Sequence, residues 1–120
     1  MRIVIDLDGT ICKIKQPGQL YSELEPTEGA ISFLQTLREN GHYIIIQTAR
    51  NMATCESNLG KVMKNIGKTT LDWLEQHQVP YDEIYFGKPN AHLYIDDRAL
   101  RHNSWQELSV ADLEVLAKER

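Results

Sequence analysis

Residues 1–10 read MRIVIDLDGT. Ile3, Val4 and Ile5 form a short β-branched run, the pattern of a strand buried on both faces. It stops in Asp6, Leu7, Asp8, Gly9 and Thr10. Two carboxylates, two residues apart at the carboxyl end of a buried strand, are poor core material. Without a cation or hydrogen bonds their burial costs several kcal/mol or more. In open α/β sheets that edge is where ligands bind. Gly9 lets the backbone turn sharply, and the Thr10 hydroxyl can hold the turn. Taken alone, the segment is also compatible with an ordinary strand end and an Asp-Gly turn. The rest of the chain decides between the two.

The 120 residues suffice for one domain with one sizeable core, expected to span 1–120. A formal charge of −4 argues against a nucleic-acid or membrane-surface partner, whose binding footprints are basic. No apolar run approaches the length of a spanning helix, and the first residues enter a strand and not a secretory signal. Cys12 and Cys55 lack metal-ligand spacing and read as reduced thiols, so a cytoplasmic protein is expected. Cys12 lies just beyond the acidic turn.

Residues 13–25 (KIKQPGQLYSELE) carry a Pro17-Gly18 turn signal and no lasting period, the pattern of a surface loop or of a flap over a site. Pro26 fits the first turn of a helix in which Ala30, Ile31, Leu34 and Leu37 recur at helical spacing, with Asn40-Gly41 closing it. His42 to Thr48 is a second apolar β-rich run, followed by Ala49 and Arg50. Leu59, Val62, Met63 and Ile66 predict a helix, and a second helix is expected over 69–78. Thr69 and Asp72 would form its capping box, with Leu71, Leu74 and Trp73 inward. Glu83 to Phe86 reads as a third strand, followed by Gly87-Lys88-Pro89. Leu93-Tyr94-Ile95 reads as a fourth, ending in Asp96-Asp97. Ser109 caps a last helix, with Val110, Leu113 and Leu116 toward the core. The alternation predicts an α/β, three-layer Rossmann-like fold: a mainly parallel sheet with helices on both faces.

At the carboxyl edge of such a sheet Asp6, Asp8, Thr48, Lys88, Asp96 and Asp97 converge. Four carboxylates in one place repel one another unless a cation sits among them, and hard oxygen ligands suit Mg²⁺. A lysine and a threonine hydroxyl match the needs of a phosphoryl group. A carboxylate in line with phosphorus can attack it to form an aspartyl-phosphate. Each residue also has a plainer reading. Asp96-Asp97 could cap a helix, Lys88 could be a surface lysine, and Thr48 could simply end its strand. Arg50 could form an ordinary ion pair or grip an anionic substrate group. The four histidines show no ligand spacing, and Trp105 and Tyr94 are core candidates first.

DLDGT, Thr48 after a strand, Lys88 in GKP and Asp96-Asp97, in that order, resemble the four motifs of the haloacid dehalogenase superfamily of phosphohydrolases. TAR, GKP and IDDRA in so short a chain look most like the small bacterial phosphatases associated with capsular polysaccharide biosynthesis. The resemblance implies Asp6 as nucleophile and metal ligand. It implies Asp8 as the acid that protonates the leaving oxygen and then activates water, with its carbonyl on the metal. Thr48 would position the phosphoryl group with backbone N–H groups near Asp8 and Ala49, and Lys88 would bridge Asp6 and phosphate. Asp97, or alternatively Asp96, would complete the Mg²⁺ ligands.

An acidic residue at position 8 suits a phosphatase, because an alkoxide leaving group needs a proton and a halide does not. Neither 13–25 nor 51–69 is long enough for the family's usual cap domain. An uncapped site leaves two options: a large or polymeric substrate enters the open cleft, or a neighbouring copy in a homo-oligomer closes it. The expected substrate class is a phosphorylated sugar or a related small metabolite. A phosphoacceptor signalling domain would carry its acidic pair before the acceptor Asp, the reverse of the order here. An inactive binding protein on the same scaffold would lack one of the catalytic residues, and none is missing.

Overall fold

Three apolar runs become three parallel strands, β1 (Arg2–Asp6), β2 (Tyr43–Thr48) and β3 (Glu83–Phe86), ordered β1-β2-β3. The computed structural model describes residues 1–119. Register aligns Ile5 with Ile46, and Ile46 with Ile84. One face of the sheet therefore presents Ile3, Ile5, Ile44, Ile46 and Ile84, all within the main apolar core. Helix α1 (Ala30–Glu39) lays Leu34 and Leu37 on that face. Each fully buried aliphatic side chain there contributes about 1.5–3 kcal/mol.

Between β2 and β3 the chain forms one helical rod. Its parts are α2 (Leu59–Val62), a π-helical turn (Met63–Gly67) and α3 (Lys68–Gln76). The Asn58 side chain opens it by accepting the Lys61 N–H at 3.1 Å. Two separate helices with a cap at Thr69 are not what forms. Thr69 lies inside the rod, and Asp72 pairs with Lys68 at 2.6 Å. The wider π turn rotates the faces of the helix beyond it. Thr70, Trp73 and Leu74 are consequently buried, while Leu71, expected inward, is exposed.

The parallel α/β sheet without a cap domain is as expected. Successive right-handed crossovers that step in one direction put their helices on the same side. Trp73 and Leu74 of α3 accordingly share a core with Leu34 and Leu37 of α1. The other sheet face buries Ile45 but leaves Tyr43, Tyr85 and Val4 exposed, Val4 to 58 %. Strand β1 is thus buried on one face and not on two.

Helix α1 starts at Ala30 and not near Pro26, because Gly29 adopts φ 81°, a left-handed conformation that interrupts helical backbone. A Cβ there would also meet Trp105 Cβ at 3.3 Å. Helix α4 (Val110–Lys118) has the expected cap, Ser109 Oγ accepting the Asp112 N–H at 3.1 Å. Val110 and Leu113 pack on the core, whereas Leu116 is exposed.

The fourth strand does not form: Leu93, Tyr94 and Ile95 carry no strand pairing, and residues 89–101 are all exposed. From the end of β3 only six residues precede Leu93, and a parallel crossover needs a dozen or more. The chain returns to its own core at Trp105, whose indole N–H donates to the Thr10 carbonyl at 2.9 Å and whose ring meets Phe33 at 5.0 Å.

His102 lies against Trp105 at 4.7 Å with a buried Nε2 that has no hydrogen-bond partner among the described residues, and burial holds its pKa below the usual 6.5. Its contribution to stability is therefore complete above pH 6.5 and is lost as pH falls through the lowered folded value. Melting temperatures measured between pH 7.5 and 5 should fall less steeply for His102→Phe than for the wild type. Equal slopes would remove the histidine from the account.

Candidate active site

The turn after β1 is wound about one carbonyl. Leu7 O accepts the N–H groups of Thr10, Ile11 and Cys12 at 3.2, 2.9 and 3.1 Å, and Gly9, at φ 88°, donates to Cys12 O at 2.8 Å. Leu7 and Ile11 are buried beneath it. The turn carries Asp6 and Asp8 to the carboxyl edge of the sheet, both partly exposed.

Lys88 Nζ reaches Asp6 Oδ1 at 3.3 Å, and the Thr10 hydroxyl donates to Asp6 Oδ2 at 3.4 Å. Lys88 is held there through its own backbone, its N–H donating to Thr48 O at 3.1 Å, so β2 and β3 together position it. Gly87 makes the approach possible because its φ of 96° is a conformation that a residue with a Cβ rarely adopts.

Asp8 belongs to a second pair. Arg50 grips it with Nη2 to Oδ1 at 2.7 Å and Nε to Oδ2 at 3.1 Å, a two-pronged guanidinium–carboxylate contact. The Arg50 side chain is buried. Its Nη1 donates to Thr70 Oγ1 at 3.1 Å, and its guanidinium lies 4.3 Å from the centroid of the Tyr21 ring. Arg50 is thus neither a surface ion pair nor a free anion grip. Thr48 is fully buried, its hydroxyl oxygen accepting the Arg50 N–H at 3.0 Å; Ala49 follows and accepts the Met52 N–H at 3.0 Å. The Cys12 thiol donates to Asp8 Oδ1 at 3.3 Å. Burial, followed by the nearby Asp8 charge, pushes its pKa up to about 12, so it stays a thiol at neutral pH. Burial in the same way raises the Tyr21 pKa.

The chain therefore brings Asp6, Asp8, Thr48, Ala49, Arg50 and Lys88 together. It does not bring Asp96 and Asp97 to them. Both are exposed, Asp96 accepting the Arg98 N–H at 2.8 Å, and no group of three potential metal-binding side chains occurs among the described residues. Tyr94 is no core residue: its ring lies 4.4 Å from Lys88 Nζ and its hydroxyl donates to Pro89 O.

Tyr21 and Thr70 escape a reading by pattern. Tyr21 sits in aperiodic sequence, and Thr70 occupies a core position of a helix whose phase the π turn has shifted. Residues 13–25 do not hang loose over the site. Lys13 N–H donates to Glu25 O at 3.1 Å, and Trp73 Nε1 to Leu24 O at 2.7 Å. No helix among the described residues is long and apolar enough to cross a membrane.

Residues 3–85 match the sequence profile of the haloacid dehalogenase-like hydrolases. A crystal structure of a structural-genomics target from Vibrio cholerae is 36 % identical and superposes with a TM-score of 0.86, covering 99 % of this chain and 98 % of that one. Among curated proteins there is no match.

Proposed function

Because the chain belongs to the haloacid dehalogenase-like hydrolases, a family generally of phosphatases, we propose that it hydrolyses phosphomonoesters through an aspartyl-phosphate on Asp6. The observation that carries this reading is the Asp6–Lys88 contact of 3.3 Å at the carboxyl edge of β1, an accessible carboxylate beside a fixed cation.

An Asp6 carboxylate oxygen forms the bond to phosphorus as the ester P–O bond breaks. Lys88 offsets the negative charge that gathers on the non-bridging oxygens. Asp8, having taken up a proton from solvent, gives it to the departing alkoxide, then takes one from the water that attacks phosphorus and releases Asp6. For this its carboxyl group leaves the Arg50 fork, and Arg50, fixed by Thr70 and Tyr21, marks where it returns. Thr48 and Ala49 shape the turn that receives the phosphoryl group.

Mg²⁺, typical of the family, suits these hard oxygens in part. The Asp6 carboxylate and the Asp8 carbonyl would hold it, with Asp97 or Asp96 needed as a further ligand. When bound, it neutralises charge between nucleophile and phosphate. The substrate class we propose is a phosphorylated sugar or related metabolite, such as one used in capsular polysaccharide synthesis, in a cytoplasmic setting.

Phosphate release from sugar phosphates, nucleotides and an aryl phosphate, with Mg²⁺ or a chelator, tests the proposal. Metal-dependent turnover with a preference for sugar phosphates is expected. Mg²⁺ binding without hydrolysis of any ester would overturn it.

A further inference from the structure

Strand β1 carries the candidate nucleophile, yet it stands at the edge of the sheet. Only β2 pairs with it, so the backbone groups along its other side meet no strand among the described residues. An edge of this kind is a template for another strand. The same chain exposes an arm, residues 89–101, with Leu93 69 % and Ile95 93 % accessible. Leu93-Tyr94-Ile95 is a β-prone apolar run and leads into Asp96-Asp97, the acidic pair that the site lacks.

The arm cannot serve its own β1 in the parallel sense. Lys88 is tied to Thr48 at one end of the sheet, and the arm would have to recross the sheet to the start of β1. The residues between Lys88 and Leu93 are far fewer than the dozen or so a parallel crossover requires. An antiparallel addition is within reach, but it would carry Asp96 and Asp97 to the wrong end of β1.

We propose that residues 93–97 of one copy add as a parallel strand to the open edge of β1 in a second copy, completing the acidic site across the subunits of a strand-exchanged dimer. Aligning Asp96 with Asp6 sets Leu93 beside Ile3, Tyr94 beside Val4 and Ile95 beside Ile5. The period of two then directs Leu93 and Ile95 toward the apolar face that holds Ile3 and Ile5, and Tyr94 toward the open face beside Val4. Asp96 and Asp97 reach the carboxyl edge next to Asp6 and Asp8 of the partner copy. The exchange is reciprocal under a two-fold axis, so both exposed edges are covered at once. Trp105, eight residues beyond Asp97, remains anchored on Thr10 of its own copy. The two sites of the dimer therefore lie within about 28 Å of each other.

The role given to the acidic pair rests on the phosphatase reading, whereas the exchange itself does not, and the test separates them. The full-length chain is weighed by light scattering, and the double variant Val4→Cys with Tyr94→Cys is treated with a short bismaleimide. A dimer in solution whose cross-link yields a covalent dimer on a denaturing gel is the expected result, whether or not any ester is hydrolysed. A monomeric mass, or cross-links confined within one chain, would overturn the exchange.

The second arm mixes Asp6→Asn with the double variant Asp96→Asn, Asp97→Asn after joint unfolding and refolding, each being inactive alone. Exchange makes one intact site in every mixed dimer and recovers about a quarter of wild-type activity per chain. No recovery, with wild-type enzyme active and dimeric, would show the acidic residues acting within their own chain and would sink the shared site.

Discussion

Asp6→Asn is expected to reduce Mg²⁺-dependent phosphate release by about 10³-fold or more while leaving the thermal midpoint nearly unchanged. The amide keeps the volume and planarity of the side chain but is a far poorer nucleophile toward phosphorus. Little stability should go with the charge, because the side chain is partly exposed and its contacts with Lys88 and Thr10 are long, at 3.3 and 3.4 Å. The measurement is turnover of the best ester from the panel, set beside the melting curve of each protein. Retention of more than a few per cent of activity would move the nucleophile elsewhere.

Arg50→Ala should be the most disruptive single change near the site, destabilising the fold by about 2–4 kcal/mol and also lowering activity. The guanidinium is buried and satisfies Asp8 at both oxygens, Thr70 Oγ1 and the face of Tyr21. Removing it leaves Asp8 without its cation in a partly desolvated place and deprives Thr70 of a partner. The partial exposure of Asp8 lets water compensate, which keeps the expected loss toward the lower end for a broken buried pair. Arg50→Lys restores a charge but not the two-pronged geometry, so it should recover less than half of the lost stability. Urea midpoints of the three proteins decide this, and a lysine variant as stable as wild type would show that charge alone matters.

The strands and the site's core were legible because they follow short-range rules. Ile3 to Ile5, Ile44 to Ile46 and Ile84 are β-branched runs bounded by turn residues, and all enter the sheet. Ser109 caps its helix as a serine before an apolar period should. Asp6 and Lys88 meet because each lies just past the end of a strand, which places both at one edge. Helix α1 starts later than Pro26 suggests for a local reason, as the left-handed Gly29 outweighs the tolerance of a first turn for proline. Leu71 turns outward for a subtler one, because a π turn changes the phase of the residues after it without altering their apolar pattern.

By itself the sequence determined the three parallel strands, the carboxylates of the DLDGT turn and the chemistry that those side chains can perform. All of these depend on residue type and on spacings of a few residues. Tertiary structure decided that Arg50 belongs to Asp8, that Val4 faces outward, and that Leu93 to Asp97 join no strand of their own sheet. The physical reason is that a β-prone apolar run reports only that a segment can pair. Crossover handedness and the few residues after Lys88 determine which edge it can reach.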